Sequence, residues 1–181
     1  FSGQALLWEN LSRIDLPPAA NASYPVVQNE ADYINNAGVI VGCHYYGRKP
    51  DGKYAFYSEP VIWVNRTAVT LPILDAPDDM SPWGGAMAIN DANMAVGSCV
   101  APMAVKRNDY CAVAWENGRV IDLNSWIVAS QGWELNTADY INNAGQVCGT
   151  GQHDSKERVY LLSPLNLPPR AFITATPSSG P

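Results

Sequence analysis

Charged side chains are scarce. They make up 15% of the 181 residues, with 11 Lys and Arg against 17 Asp and Glu and a formal net charge of −6. There is no basic run, which argues against a phosphate-backbone binder, so no nucleic-acid partner is expected. No apolar stretch approaches the roughly 18 residues that a membrane-spanning helix needs, so no membrane span is expected either. Histidine is nearly missing: His44 and His153 are the two, and neither has a nucleophile or second ligand at a recognisable spacing. Both read as surface or loop residues. Asp75, Asp78 and Asp79 cluster near Pro77 but lack the glycine and closing glutamate of a calcium loop, and read as a solvated turn. The expectation is no catalytic residue, no cofactor and no metal. Helical periodicity of any length is absent, and 14 Gly with 14 Pro exclude a helical bundle, while 47% apolar content excludes a disordered chain.

What is present is repetition. Three segments share one pattern: Ala31-Asp-Tyr-Ile-Asn-Asn-Ala-Gly38, Ala86-Met-Ala-Ile-Asn-Asp-Ala-Asn93 and Ala138-Asp-Tyr-Ile-Asn-Asn-Ala-Gly145. Each runs into a short apolar segment ending in glycine, at Gly42, Gly97 and Gly149. The motif isoleucines, Ile34, Ile89 and Ile141, are spaced by 55 and then 52 residues, and Trp8, Trp63 and Trp115 keep the same two intervals. Two markers in phase identify a true repeat.

Each motif predicts a β-hairpin. Ala-x-x-Ile alternates as a half-buried strand requires. In Asn-x-x-Gly the asparagine can bond its own backbone two residues on, and the fourth residue can take a positive φ, which Asn93 tolerates in place of glycine. The terminal glycine marks a place where a neighbouring backbone comes close. A second hairpin follows: Cys111-Ala-Val-Ala-Trp115, a turn at Glu116-Asn-Gly118, then Arg119-Val-Ile-Asp-Leu123. Its N-terminal copy covers residues 4–16, and the middle copy reads as distorted, with Tyr54-Ala-Phe-Tyr57 separated from Trp63 by an insertion at 58–62. Two hairpins per unit of about 53 residues make four antiparallel strands, the size of one propeller blade. The fold class is therefore all-β, a propeller-type array, preferred over a sandwich because a sandwich does not demand one motif in phase every four strands.

These residues resemble the HAF repeat family of exported, extracellular bacterial proteins. Its pattern of Ala-x-x-Ile-Asn-x-x-Gly-x-Val-x-Gly, Ala-Phe-Leu-Trp, Gly and Asp-Leu is matched here by residues 138–149, 112–115, Gly118 and Asp122-Leu123. The resemblance covers about residues 4–164, departs from the pattern at Val113, Asn93 and 58–62, and implies propeller-like hairpin repeats with no catalytic residues to transfer.

Strand counting divides the chain into a repeat domain, 1–164, and a proline-flanked tail, 165–181. The domain holds a half-blade at 5–16 and blades at 31–74, 86–123 and 138–162, about three and a half in all. Such an array has unpaired edges, which predicts a homo-oligomer or polymer. Arg170, Ala171, Phe172, Ile173 and Thr174 form a candidate donor strand. Cys99 and Cys111 bracket a polar loop between two strands and are candidates for a disulfide, with two reduced thiols as the alternative; Cys43 and Cys148 read as buried free cysteines. Asn10, Asn21 and Asn65 head sequons, acceptors only in a eukaryotic-type secretory route. Phe1 in place of methionine reads as processing. Trp83, Trp126 and Trp133 lie between the repeat-marking tryptophans and would stack on sugars if exposed, or fill gaps if buried. The functional expectation is a non-catalytic, secreted or cell-surface assembly or adhesion protein; the alternative is a glycan-binding module for surface glycans.

Overall fold

A computed structural model describes residues 3–23, 25–47, 57–75, 83–101, 110–128, 131–165 and 173–177. Antiparallel strands dominate, arranged as one hairpin and three sheets in chain order. The hairpin is β1 (Leu6–Glu9) with β2 (Ser12–Asp15). Layer I runs β3 (Val26–Ile34), β4 (Ile40–Tyr46), β5 (Tyr57–Val64), β6 (Thr67–Thr70), each strand paired to the next. Layer II repeats the order with β7 (Gly84–Ile89), β8 (Ala95–Val100), β9 (Tyr110–Glu116) and β10 (Arg119–Asp122). A 3-10 turn, Leu123–Trp126, leads into layer III. There β11 (Trp133–Leu135) and β12 (Tyr140–Ile141) both pair with β13 (Val147–His153), followed by β14 (Lys156–Pro164) and β15 (Ile173–Pro177).

Three apolar clusters join consecutive layers. Ala5, Leu7 and Leu16 of the hairpin meet Ile40, Val61 and Trp63 of layer I. Val39, Val41 and Ile62 of layer I meet Ala95, Val113 and Trp115 of layer II. Val96, Ala112 and Ala114 of layer II meet Leu135, Ile141, Val147 and Leu162 of layer III. Strand alternation explains the division: odd positions of β9 face layer I and even positions face layer III, so layer II is buried on both sides.

The turn chemistry expected from the motif is present. Asn35 Oδ1 accepts from Ala37 N at 3.0 Å and Val39 N at 2.9 Å, and Asn142 Oδ1 accepts from Ala144 N and Gln146 N, both at 3.0 Å. Gly38, Asn93 and Gly145 have φ of 77°, 62° and 74°. The motif glycines are required by contact. A Cβ on Gly42, Gly97 or Gly149 would lie 1.9, 2.0 or 1.9 Å from the carbonyl oxygen of Glu30, Gly85 or Thr137 on the adjacent strand.

Several expectations are corrected. Residues 58–62 are not an insertion: β5 is continuous and pairs residue by residue with β4, so Pro60-Val-Ile-Trp63 is the counterpart of Ala112-Val-Ala-Trp115. Ile173 and Thr174 lie in β15, which pairs in register with β14 of the same chain, Thr174 opposite Ser163; Arg170, Ala171 and Phe172 lie outside the described residues. The described strands number 15, one more than three and a half four-stranded blades supply, β11 being the strand not foreseen.

Candidate functional site

The repeated turns stack into a polar spine that runs across the layers. Asn35 Nδ2 donates to Asn90 O at 3.0 Å, and Asn90 Nδ2 donates to Asn142 O at 3.4 Å. One residue on, Asn36 N donates to Asp91 Oδ1 at 3.0 Å, and Asp91 N donates to Asn143 Oδ1 at 2.9 Å. The Nδ2 amides of Asn36 and Asn143 both reach Asp91 Oδ2 at 2.7 Å. Backbone and side-chain donation from Asn36, followed by donation from Asn143, holds the Asp91 carboxyl below its ordinary pKa. The bonds to the turn carbonyls and those from the backbone N–H groups run one way, each layer donating to the layer after it, whereas the Asn143 amide donates back to Asp91. Asn142, at the end of the series, turns its Nδ2 back to Gln146 Oε1 at 2.8 Å.

A second polar cluster lies between the hairpin and layer I. Glu59 of β5 is buried and accepts from Tyr46 OH at 2.5 Å, from Tyr57 OH at 2.7 Å and from the Ser23 hydroxyl. Burial pushes the Glu59 carboxyl upward, but the hydroxyl donors outweigh it and hold the pKa below the ordinary range. Its cross-strand partner is His44. His44 is fully buried, neither ring nitrogen has a hydrogen-bond partner, and the ring meets Trp63 edge-on with centroids 5.7 Å apart. Burial lowers its pKa to about 4, against a smaller opposing pull from Glu59, so it is neutral at neutral pH. This corrects the expectation of a surface histidine. The cluster ties the Ser23 segment to β4 and β5 through a carboxylate whose oxygens are already engaged, which is a fastening rather than a poised base.

The remaining candidates are dispersed. His153 sits in layer III, stacked on Trp133 at 4.8 Å, with layer II between it and His44. Asp75 is exposed beyond β6, and Asp78 and Asp79 lie outside the described residues. Among the described residues no group of three or more His, Cys, Asp or Glu could hold a metal ion. No described helix is long and apolar enough to cross a membrane. A cleft of about 200 Å³ between Gln4, Pro18, Val26 and Gln28 is lined by no titratable group.

Cys99 and Cys111 are direct partners across β8 and β9, as the hairpin requires, yet all four cysteines are free thiols. The expected bridge is not formed: the Cys111 thiol donates instead to Asp122 Oδ1 at 3.0 Å, and burial raises the pKa of both groups, that of Cys99 to about 11. The three candidate sugar-stacking tryptophans are not open platforms. Trp133 is 9% exposed inside the cluster between layers II and III, Trp126 packs on that cluster, and Trp83 lies against Tyr110 at 4.8 Å. Asn10 and Asn65 each open a two-residue turn in the left-handed region, with φ of 48° and 49°. Their sequons follow from turn chemistry, an Asn that tolerates positive φ followed by a strand beginning with Ser or Thr. The Asn21 side chain is occupied, donating to Thr70 Oγ1 at 2.8 Å and accepting from Thr70 N at 3.1 Å.

Strand counting implies uncovered ends of the stack without naming the residues on them. At the start, Leu6 and Trp8 face outward, exposed by 42% and 67%. At the finish Tyr140, Val159 and Leu161 are exposed on the outer face of layer III. Comparisons with family models, curated proteins and solved structures each gave no match, so the HAF-type resemblance rests on the motif residues alone.

Proposed function

We propose that this chain is a non-catalytic, extracellular structural protein of the propeller-repeat type whose layers associate end to end with other copies. One observation carries the reading. Tyr140, Val159 and Leu161 occupy the repeat positions of Ala88, Ala112 and Ala114, which layer III covers completely in layer II. Likewise Leu6 and Trp8 occupy the positions of Val61 and Trp63 in layer I and of Val113 and Trp115 in layer II, all buried against the preceding layer. The outward faces at the two ends are thus the two halves of an interface that the chain already builds internally. Exposed apolar patches of this kind mark association surfaces, and contact between unlike faces that does not close produces a fibre.

The test is sedimentation velocity over a concentration series, with negative-stain microscopy. The unaltered chain forms oligomers that grow with concentration. Trp8→Lys, which blocks one end, and Leu161→Lys, which blocks the other, are each monomeric. Mixed together they form dimers and nothing longer, because one intact end of each kind remains. A monomer at every concentration sinks the proposal, as does growth unaffected by both substitutions.

A further inference from the structure

Layers I, II and III are each built from an inner hairpin and an outer one: β3–β4 with β5–β6, β7–β8 with β9–β10, and β12–β13 with β14–β15. Among the described residues the first layer has the outer hairpin alone, β1–β2. We propose that the place where its inner hairpin would lie is a binding slot for a β-hairpin that carries the repeat's own turn, supplied from outside the described layers. The slot goes beyond the stacking of end faces, since it concerns a strand edge and a turn rather than a sheet face.

Three different features converge on it. The first is a strand edge. Leu16 N–H donates to Ala5 O at 3.0 Å, so by antiparallel alternation the N–H and C=O groups of Leu6 and Trp8 point away from β2. Among the described residues β1 has no strand on that side, whereas its counterparts β5, β9 and β14 are each paired on both. The second is an uncovered apolar side chain. Ile34 is 50% exposed, while Ile89 and Ile141 at the same motif position are 1% and 6% exposed beneath the inner hairpin of the preceding layer. The third is the start of the polar spine. The carbonyls of Asn90 and Asn142 each accept two bonds, one from their own turn and one from the asparagine of the layer before. Among the described residues Asn35 O accepts only from Gly38 N, at 3.0 Å. Asp91 Oδ1 and Asn143 Oδ1 each take a backbone N–H from the preceding turn, and Asn36 Oδ1 receives none from a described residue.

Together these define the occupant. It pairs with β1 by strand addition, sets the residue immediately before its motif glycine, the place held by Val41 and Val96, on Ile34, and places an Asn-Asn or Asn-Asp turn beside Asn35. The first asparagine amide then donates to Asn35 O, and the next backbone N–H donates to Asn36 Oδ1. A generic strand would satisfy the edge but not the spine.

The probe is a synthetic peptide of residues 138–149 carrying Cys148→Val, which puts valine at the place of Val41 and Val96, titrated into the full chain bearing Leu161→Lys. That background removes end-to-end growth, so the slot is read whether or not the stacking proposal survives. The expected result is saturable amide shifts in NMR at Leu6, Trp8, Ile34 and Asn36, with quiet resonances at Val159 and Tyr140. The same peptide with Asn142→Ala and Asn143→Ala binds at least about tenfold more weakly, the value of one or two lost hydrogen bonds. Absence of shifts at millimolar peptide overturns the slot. So does equal binding by the two peptides, or shifts confined to the layer III face.

Discussion

Trp115 and Trp8 hold the same place in the repeat and live in opposite surroundings. Trp115, in layer II, is 2% exposed and donates its indole N–H to Pro72 O at 2.6 Å; Trp63 does the same to Pro17 O at 2.8 Å. Trp8 is 67% exposed on the outward face of the β1–β2 hairpin. The comparison teaches that a repeat position fixes which way a side chain points, whereas the neighbouring layer decides what that direction is worth. The largest expected effect breaks the pair apart. Trp115→Ala leaves a cavity between layers I and II and costs about 3–5 kcal/mol in urea unfolding. Trp8→Ala, measured below the concentration of self-association, costs under about 0.5 kcal/mol. Equal losses in the two variants would mean that Trp8 is already covered in the monomer.

A glycine pair sharpens the same contrast between interior and rim. Gly97 lies in the middle of layer II, where a Cβ would meet the Gly85 carbonyl at 2.0 Å and the Trp115 ring at 3.0 Å. Both neighbours are fixed by packing, so Gly97→Ala costs about 3–4 kcal/mol or prevents folding, a loss of the size reserved for severe core overlap. Gly118 sits at the rim of the same layer with φ of +74° and open space around it. There the penalty is only that of a side chain in the left-handed region, about 1–2 kcal/mol. Unfolding midpoints of the two variants, compared at unchanged m-value, separate contact from conformation.

Much of this was legible from local chemistry. The phase of the Ile and Trp markers, the Asx turns and the tight glycines depend on residues near one another in the chain, and the structure reproduces them. The supposed insertion at 58–62 arose from aligning the Ala-Phe string rather than Trp63, although the strand simply starts earlier. His44 was misplaced because layer I is covered on both faces, so the strand around it, Ile40–Tyr46, carries no polar alternation to flag a buried residue. The thiol–Asp122 contact lies within the β9–β10 hairpin but follows from side-chain placement that no residue pattern marks; the spine through Asp91 and the bare ends arise between units, and no window of one repeat contains them.

His44 supplies the next largest effect, and it belongs to the covered side of the comparison. Its pKa is lowered from 6.5 to about 4, chiefly by burial, so the folded protein holds it neutral while the unfolded chain takes up a proton near its ordinary value. Its contribution is therefore fully present above about pH 6.5 and fades as the pH falls towards 4, by up to about 3 kcal/mol. Stability curves taken from pH 7 to pH 4 show this slope, and His44→Leu, which keeps an apolar body beside Trp63, flattens it. An unchanged slope in that variant would place the acid sensitivity in other groups.

The smallest effect lies at the exposed end, in a turn. Leu11 is 98% exposed with φ of +64°, second in the two-residue turn of the β1–β2 hairpin. The matching residue in layer II is Gly118, which accepts the left-handed conformation without a Cβ. Leu11→Gly relieves about 1–2 kcal/mol of backbone strain and returns part of it as unfolded-state entropy, for a net gain of about 0.5–1 kcal/mol. Where that gain is registered distinguishes two pictures of the rim. If the hairpin unfolds together with layer I, the whole-chain unfolding midpoint rises. If it opens on its own, hydrogen exchange slows at Leu7 and Ile14 while the midpoint stays put, and the hairpin is then a separate, weaker unit.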